Sequence, residues 1–245
     1  MAKKDEGQRT GTSVFIFDLD GTLVDSNYLH ALAWREAFHS IDLDVPTWQI
    51  HRRIGMSGGL LANEVTRQTG SRLTAAQQKT VEQGHAKAFA RRSDEITPTF
   101  GAIELLHGLG DLGVPWAIAS SSTLEDAKPS LALLDLPKDA IVITSDDISA
   151  AKPDPGLFLA AAERIAHPGD ECFVVGDAVW DLLAARRAGH LGLGVLTGGY
   201  SSAELLEAGA FRVFDDTGHL FRSLDLMGVH ADDDESPAEA TGAAG

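Results

Sequence analysis

The sequence predicts an α/β protein, a parallel sheet covered by helices on both faces, with an inserted α-helical block. Two observations carry this. Short apolar runs alternate with amphipathic segments along most of the 245 residues, the pattern of strands feeding crossover helices. From about Ser26 to Arg92 that alternation stops, and only helical patterns are found.

The elements follow in order. Residues 14–17, Val-Phe-Ile-Phe, are a short apolar run that stops at Asp18-Leu19-Asp20-Gly21-Thr22, which reads as a buried strand. The chain leaves the sheet near Val24. Helical patterns then cover 28–40, 59–69 and 74–90, punctuated by Pro46 and by Gly55-Met56-Ser57-Gly58-Gly59. It returns near Thr97-Pro98. Further strands are expected at 114–119, 140–144, 172–175 and 191–196, and helices at 102–112, 124–134, 157–165 and 181–188. Gly113 and Gly189 stand where helix C-termini need a left-handed residue. Residues 1–12 and 229–245 are polar, small or acidic and are expected to be disordered. The domain reading is a core over 13–25 and 94–228 with the helical block at 26–93.

Composition excludes several functions. The net charge of −16 opposes sequence-independent nucleic-acid binding, which needs a basic surface, and docking on anionic lipid. Five of the negative charges, Asp232, Asp233, Asp234, Glu235 and Glu239, lie in the tail. No apolar run is long enough to span a membrane. The charged start of the chain has no apolar run behind it, so no signal peptide is expected. A single cysteine, Cys172, excludes an intrachain disulfide and a cysteine zinc site. It fits a reducing, cytoplasmic setting and reads as inert core. Oligomeric state, monomer or homodimer, is open.

Ligands of an open parallel sheet bind at the carboxyl ends of its strands. After the expected strands come Asp18-Leu19-Asp20, then Ser120-Ser121-Ser122-Thr123, then Thr144-Ser145-Asp146-Asp147 with Lys152-Pro153, then Gly176-Asp177 with Asp181. Carboxylates, hydroxyls and one lysine thus meet on one sheet edge. Carboxylates with water suit Mg²⁺, which prefers phosphate oxygens as further ligands. A carboxylate can also attack phosphorus. A second one can pass a proton to the leaving oxygen, provided its surroundings raise its pKa. Asp146 and Asp147 read either as a solvated loop or as part of a metal shell. Ser121 and Ser122 read as helix-capping.

The chain resembles the haloacid dehalogenase superfamily, in its phosphoglycolate phosphatase and β-phosphoglucomutase-like branch. Phe17-Asp18-Leu19-Asp20-Gly21-Thr22, Ala119-Ser120, Lys152-Pro153-Asp154-Pro155 and Val175-Gly176-Asp177 with Asp181 match its four motifs in order. The resemblance covers about residues 13–225 and implies a Rossmann-like core with a helical cap. It implies Asp18 as nucleophile and metal ligand. Asp20 would be general acid/base and bind the metal through its backbone carbonyl. Ser120 and Lys152 would hold the phosphoryl group, Asp177 would complete the Mg²⁺ site, and Asp181 would orient that site. The block 26–93 would close over the substrate.

The expected activity is Mg²⁺-dependent hydrolysis of a small phosphorylated metabolite, a sugar phosphate or phosphoglycolate, through an aspartyl-phosphate. The alternatives are a phosphosugar mutase and a catalytically silent module on the same fold. Related mutases carry a basic residue after a Gly-X-Ser stretch of the cap, whereas Gly58 follows Gly55-Met56-Ser57 here. Within the helical block, His30 and Arg53 are candidate substrate contacts, with Arg52 beside them, and Trp34 reads as core.

Overall fold

The computed structural model describes residues 12–68, 70, 72–150 and 152–230. The expected disordered ends lie outside these, apart from Thr12, Val229 and His230. The chain runs β1 (Ser13–Phe17), β2 (Val24–Asp25), α1 (Asn27–His39), α2 (Thr47–His51), α3 (Gly58–Gln68), α4 (Ala75–Ala90) and β3 (Thr97–Pro98). It continues α5 (Ala102–Asp111), β4 (Trp116–Ala119), α6 (Leu124–Leu131), β5 (Ile141–Ile143), α7 (Gly156–Ile165), β6 (Glu171–Gly176) and α8 (Val179–Ala188). It ends with β7 (Leu191–Val195), α9 (Ser202–Ala208), β8 (Ala210–Phe214) and α10 (Thr217–Phe221).

Six strands form one sheet in the order β5-β4-β1-β6-β7-β8, every neighbouring pair parallel. The period of two along β1 decides which face each side chain meets. Phe15 and Phe17 join a core with Leu105 and Leu109 of α5. Val14 and Ile16 join the opposite core with Leu157, Phe158 and Ala161 of α7. All four β1 side chains are fully buried, each worth about 1.5–3 kcal/mol of apolar burial. That burial on both faces is why β1 reads as a continuous apolar run.

The helical block packs around a separate apolar cluster that includes Trp34, Phe38, Ile50, Leu61, Val65 and Val81. The two-residue strands β2 and β3 pair antiparallel where the chain enters and leaves this block. At two residues each they are too short to show a period in sequence. The helix expected over 124–134 stops at Leu131 and passes into turns that reach Asp135, which is left-handed with φ 47°. Strand β8 was not expected. It lies at the sheet edge, pairs with β7 through a register shift, and leaves Phe211 exposed, so its pattern is weak. No helix among the described residues is long and apolar enough to cross a membrane.

Candidate active site

Strands β1, β4, β5 and β6 are parallel, so their ends deliver the motif residues to one edge. Asp18 follows β1 directly, and its N–H donates to the Val175 carbonyl of β6 (2.9 Å). Asp177 follows β6. Its Oδ1 accepts from Thr22 Oγ1 (2.8 Å) and its Oδ2 from Asn27 Nδ2 (2.7 Å). Asp181, in the first turn of α8, accepts from the Ala178 N–H (3.0 Å), a charge that the helix N-terminus favours. Carboxylate oxygens of Asp18, Asp177 and Asp181 lie within 4.8 Å of one another, all three residues buried. Gly198 lets the chain pass this close: a Cβ there would sit 1.7 Å from Asp177 Oδ2.

Lys152 is fully buried beneath the cluster. Its Nζ is 2.6 Å from Asp18 Oδ1 and 2.8 Å from Asp181 Oδ1. Burial opposes its charge, but Asp18 and Asp181 outweigh that and raise its pKa. One ammonium faces three carboxylates. Burial therefore pushes Asp18 up to about 7, against the pull of Lys152. Burial, with the charges of Asp181 and Asp18, also holds Asp177 well above the carboxylate range. A closely spaced, buried oxygen set short of positive charge fits a hard divalent cation, whose charge would reverse these shifts.

Asp20 behaves differently. Its Oδ1 accepts from Ser26 Oγ (2.7 Å) and lies 3.2 Å from His30 Nε2. His30 Nδ1 in turn contacts His85 Nε2 at 3.0 Å, and the His30 ring stacks on Phe89 with centroids 3.7 Å apart. Burial would raise the Asp20 pKa, but His30 and the Ser26 hydroxyl outweigh it, and the pKa falls below its ordinary value. The raised pKa expected of this carboxyl is not found. The physical reason is that its partner is a histidine rather than an apolar wall.

The other expected residues divide. Ser120 is fully buried, and its Oγ accepts from the Ser122 N–H (3.1 Å). Ser121 and Ser122 line the cavity, so neither is the helix cap. The cap of α6 is Thr123, which accepts from the Asp126 N–H. Asp147 caps its own turn on Thr144, and Asp146 accepts from the Leu124 N–H; neither is in the carboxylate cluster. Arg53 turns back to the Gln49 carbonyl (2.8 Å) and is not among the cavity-lining residues. Arg52 pairs with Glu204 of α9. His30 and Trp34 both line the cavity.

That cavity, about 330 Å³, lies between the strand ends and the helical block. Asp18 and Asp20 form its floor, and Gly55 to Gly59, Glu82 and His85 form the opposite wall. Sequence reading passed over His85 and Glu82. They sit on α4, 55 residues from His30 in the case of His85, and only packing of α1 on α4 brings them in. Thr22 and Asn27 were also missed as supports of Asp177; Thr22, inside the first motif, was the detectable one.

Comparison with known proteins agrees with this geometry. A family model described as haloacid dehalogenase-like hydrolase matches residues 12–189. Hexitol phosphatase A of Escherichia coli (strain K12) is 32% identical over 187 residues, covering 71% of this chain and 79% of that protein. Phosphoglycolate phosphatase of Pectobacterium atrosepticum is 29% identical over 199 residues, covering 78% and 82%. The crystal structure of a hydrolase from Pseudomonas syringae superposes with a TM-score of 0.84 at 45% identity, covering 88% of this chain and 99% of that one.

Proposed function

This chain belongs to the haloacid dehalogenase-like hydrolase family, and from that footing we propose that it is a Mg²⁺-dependent phosphatase. It hydrolyses a small phosphorylated metabolite, of the sugar-phosphate or phosphoglycolate type, through an aspartyl-phosphate. The observation that carries this reading is the pairing of Asp18 with buried Lys152 on the floor of a cavity that Asp20 shares.

In the first half-reaction an Asp18 carboxylate oxygen attacks phosphorus and the bond to the ester oxygen breaks. The leaving oxygen takes its proton from Asp20. Because His30 holds Asp20 below its ordinary pKa, that proton is supplied through the hydrogen bond between His30 Nε2 and Asp20 Oδ1. In the second half-reaction water attacks the phosphorus and gives its proton to Asp20, which passes it back to His30 along the same hydrogen bond. Phosphate leaves and the Asp18 carboxylate is restored. Lys152 balances charge at Asp18 Oδ1 throughout, and Asp181 holds Lys152 in place. Ser122 and the buried Ser120 shape the phosphoryl end. Mg²⁺, held by Asp18, Asp177 and the Asp20 carbonyl, would offset the charge of the phosphoryl oxygens. The helical block acts as a cap that keeps bulk water from the acyl phosphate.

Release of inorganic phosphate from a panel of small phosphate esters tests this, with Mg²⁺ and with EDTA, on wild type and Asp18→Asn. The expected result is Mg²⁺-dependent turnover that falls by at least about 10³-fold in the variant, as loss of a covalent nucleophile does. Equal turnover by wild type and variant would overturn it.

A further inference from the structure

The cavity's far wall carries an unusual charge balance. Among the described residues that line it none is a lysine or arginine, whereas Glu82 and Asp126 add two carboxylates beyond Asp18 and Asp20. The basic groups in and around the cavity already have partners: the lining His30 meets Asp20 and His85. Lys152 is buried between Asp18 and Asp181, Arg52 pairs with Glu204, and Arg53 donates to the Gln49 carbonyl.

Glu82 has no ion pair among the described residues. Its hydrogen bond among them is from Gln78 Nε2 at 3.0 Å. The chain facing it is Gly58-Gly59. A Cβ at Gly59 would stand 3.1 Å from Glu82 Oε1, and one at Gly58 would stand 3.1 Å from the Trp34 ring. Neither glycine has a side chain to stand between the carboxylate and the cavity, and any side chain at Gly58 would crowd the Trp34 ring. Beside Glu82 the wall is apolar, with Trp34, Ile54 and Met56.

We propose that Glu82, with Asp126, is a specificity determinant. It admits phosphate esters whose far end is uncharged and polyhydroxylated, and it rejects esters with a carboxylate or a second phosphate there. A carboxylate accepts hydrogen bonds from sugar or polyol hydroxyls, and the apolar wall meets their C–H faces. The same carboxylate repels a second anion at that end. Of the two substrate types named above this selects the sugar or polyol phosphates over phosphoglycolate. The inference rests on the phosphatase reading.

The test is a matched pair of esters, glucitol 6-phosphate and 6-phosphogluconate, which differ at the far end by a hydroxymethyl against a carboxylate. Phosphate release is followed with p-nitrophenyl phosphate as reference. In wild type, kcat/KM for the polyol ester is expected to exceed that for the acid at least ten-fold. In Glu82→Gln the ratio is expected to shrink at least three-fold, mainly through a lower KM for the acid; Asp126→Asn should move it the same way. Melting temperatures establish that both variants are folded. Equal kcat/KM for the two esters in wild type overturns the proposal and leaves the phosphatase reading standing. So does an unchanged ratio in both folded variants. Absence of release from all three esters overturns the phosphatase reading, and this inference with it.

Discussion

His30 couples the site's carboxyl chemistry to the helical block. Its Nε2 meets Asp20 and its Nδ1 meets His85, so one ring joins the end of β1 to α4. Burial of Asp20 raises its pKa, and His30 is the foremost of the groups that bring it down. Removing His30 takes away the largest of these lowering contributions and leaves burial opposed only by Ser26 and Lys152. In His30→Gln the limb of the pH–rate profile that reports Asp20 is therefore expected to move to higher pH, with kcat about 10- to 100-fold lower. An unmoved profile would detach His30 from the proton transfer. Asp18, Asp20, Lys152 and Asp177 were legible because each stands directly after an apolar run or beside prolines, where residue type and position are both visible. His85 and Glu82 were not, because a residue on an amphipathic helix shows which face it occupies but not what that face meets. Arg53 is a candidate by its charge, and the structure places its guanidinium on the Gln49 carbonyl one turn back.

Helix α9 illustrates how a short element is secured at both ends. Ser201 and Glu204 form a capping box at its start, and Gly209 ends it in a left-handed conformation (φ 111°). The same Glu204 pairs with Arg52 of the helical block. Hydrogen bonds from Ser201 and the Arg52 guanidinium lower its pKa from 4.5 to about 2. A group whose pKa falls on folding contributes stability above its unfolded pKa and loses it as pH drops through the folded one. Wild type is thus expected to lose a stabilising contribution between about pH 4.5 and 2 that Glu204→Gln lacks. The measurement is melting temperature against pH for both proteins, and parallel curves through that window would refute the linkage. The capping box is a local signal, Ser-x-x-Glu, and readable from sequence. The pairing with Arg52, 152 residues away, is not.

The cluster of Asp18, Asp177 and Asp181 joins the end of β1 to the β6–α8 turn, and its repulsion is a cost the native fold carries alone. A cation that binds only the native state stabilises it by mass action. Mg²⁺ at about 100 times its Kd should add ~2.7 kcal/mol, a rise of roughly 5–10 °C in Tm for a chain of this size. EDTA should reverse the rise, and Asp177→Asn should abolish the response to Mg²⁺. A Tm indifferent to Mg²⁺ in wild type would sink the metal assignment. Much of this was decided by the chain's linear order. Short apolar runs that alternate with amphipathic helices read as parallel strands under helices, and parallel strands bring the residues that follow them, Asp18, Lys152, Asp177 and Asp181, to one edge. What remained undecided until the chain was folded is the far side of the cavity. The angle at which α1 and α4 pack, the approach of Gly58 and Gly59 to Trp34 and Glu82, and the commitment of Arg52 to Glu204 depend on side-chain packing between segments far apart in sequence. Local periodicity carries no information about that packing, and it is there that the charge facing a substrate is set.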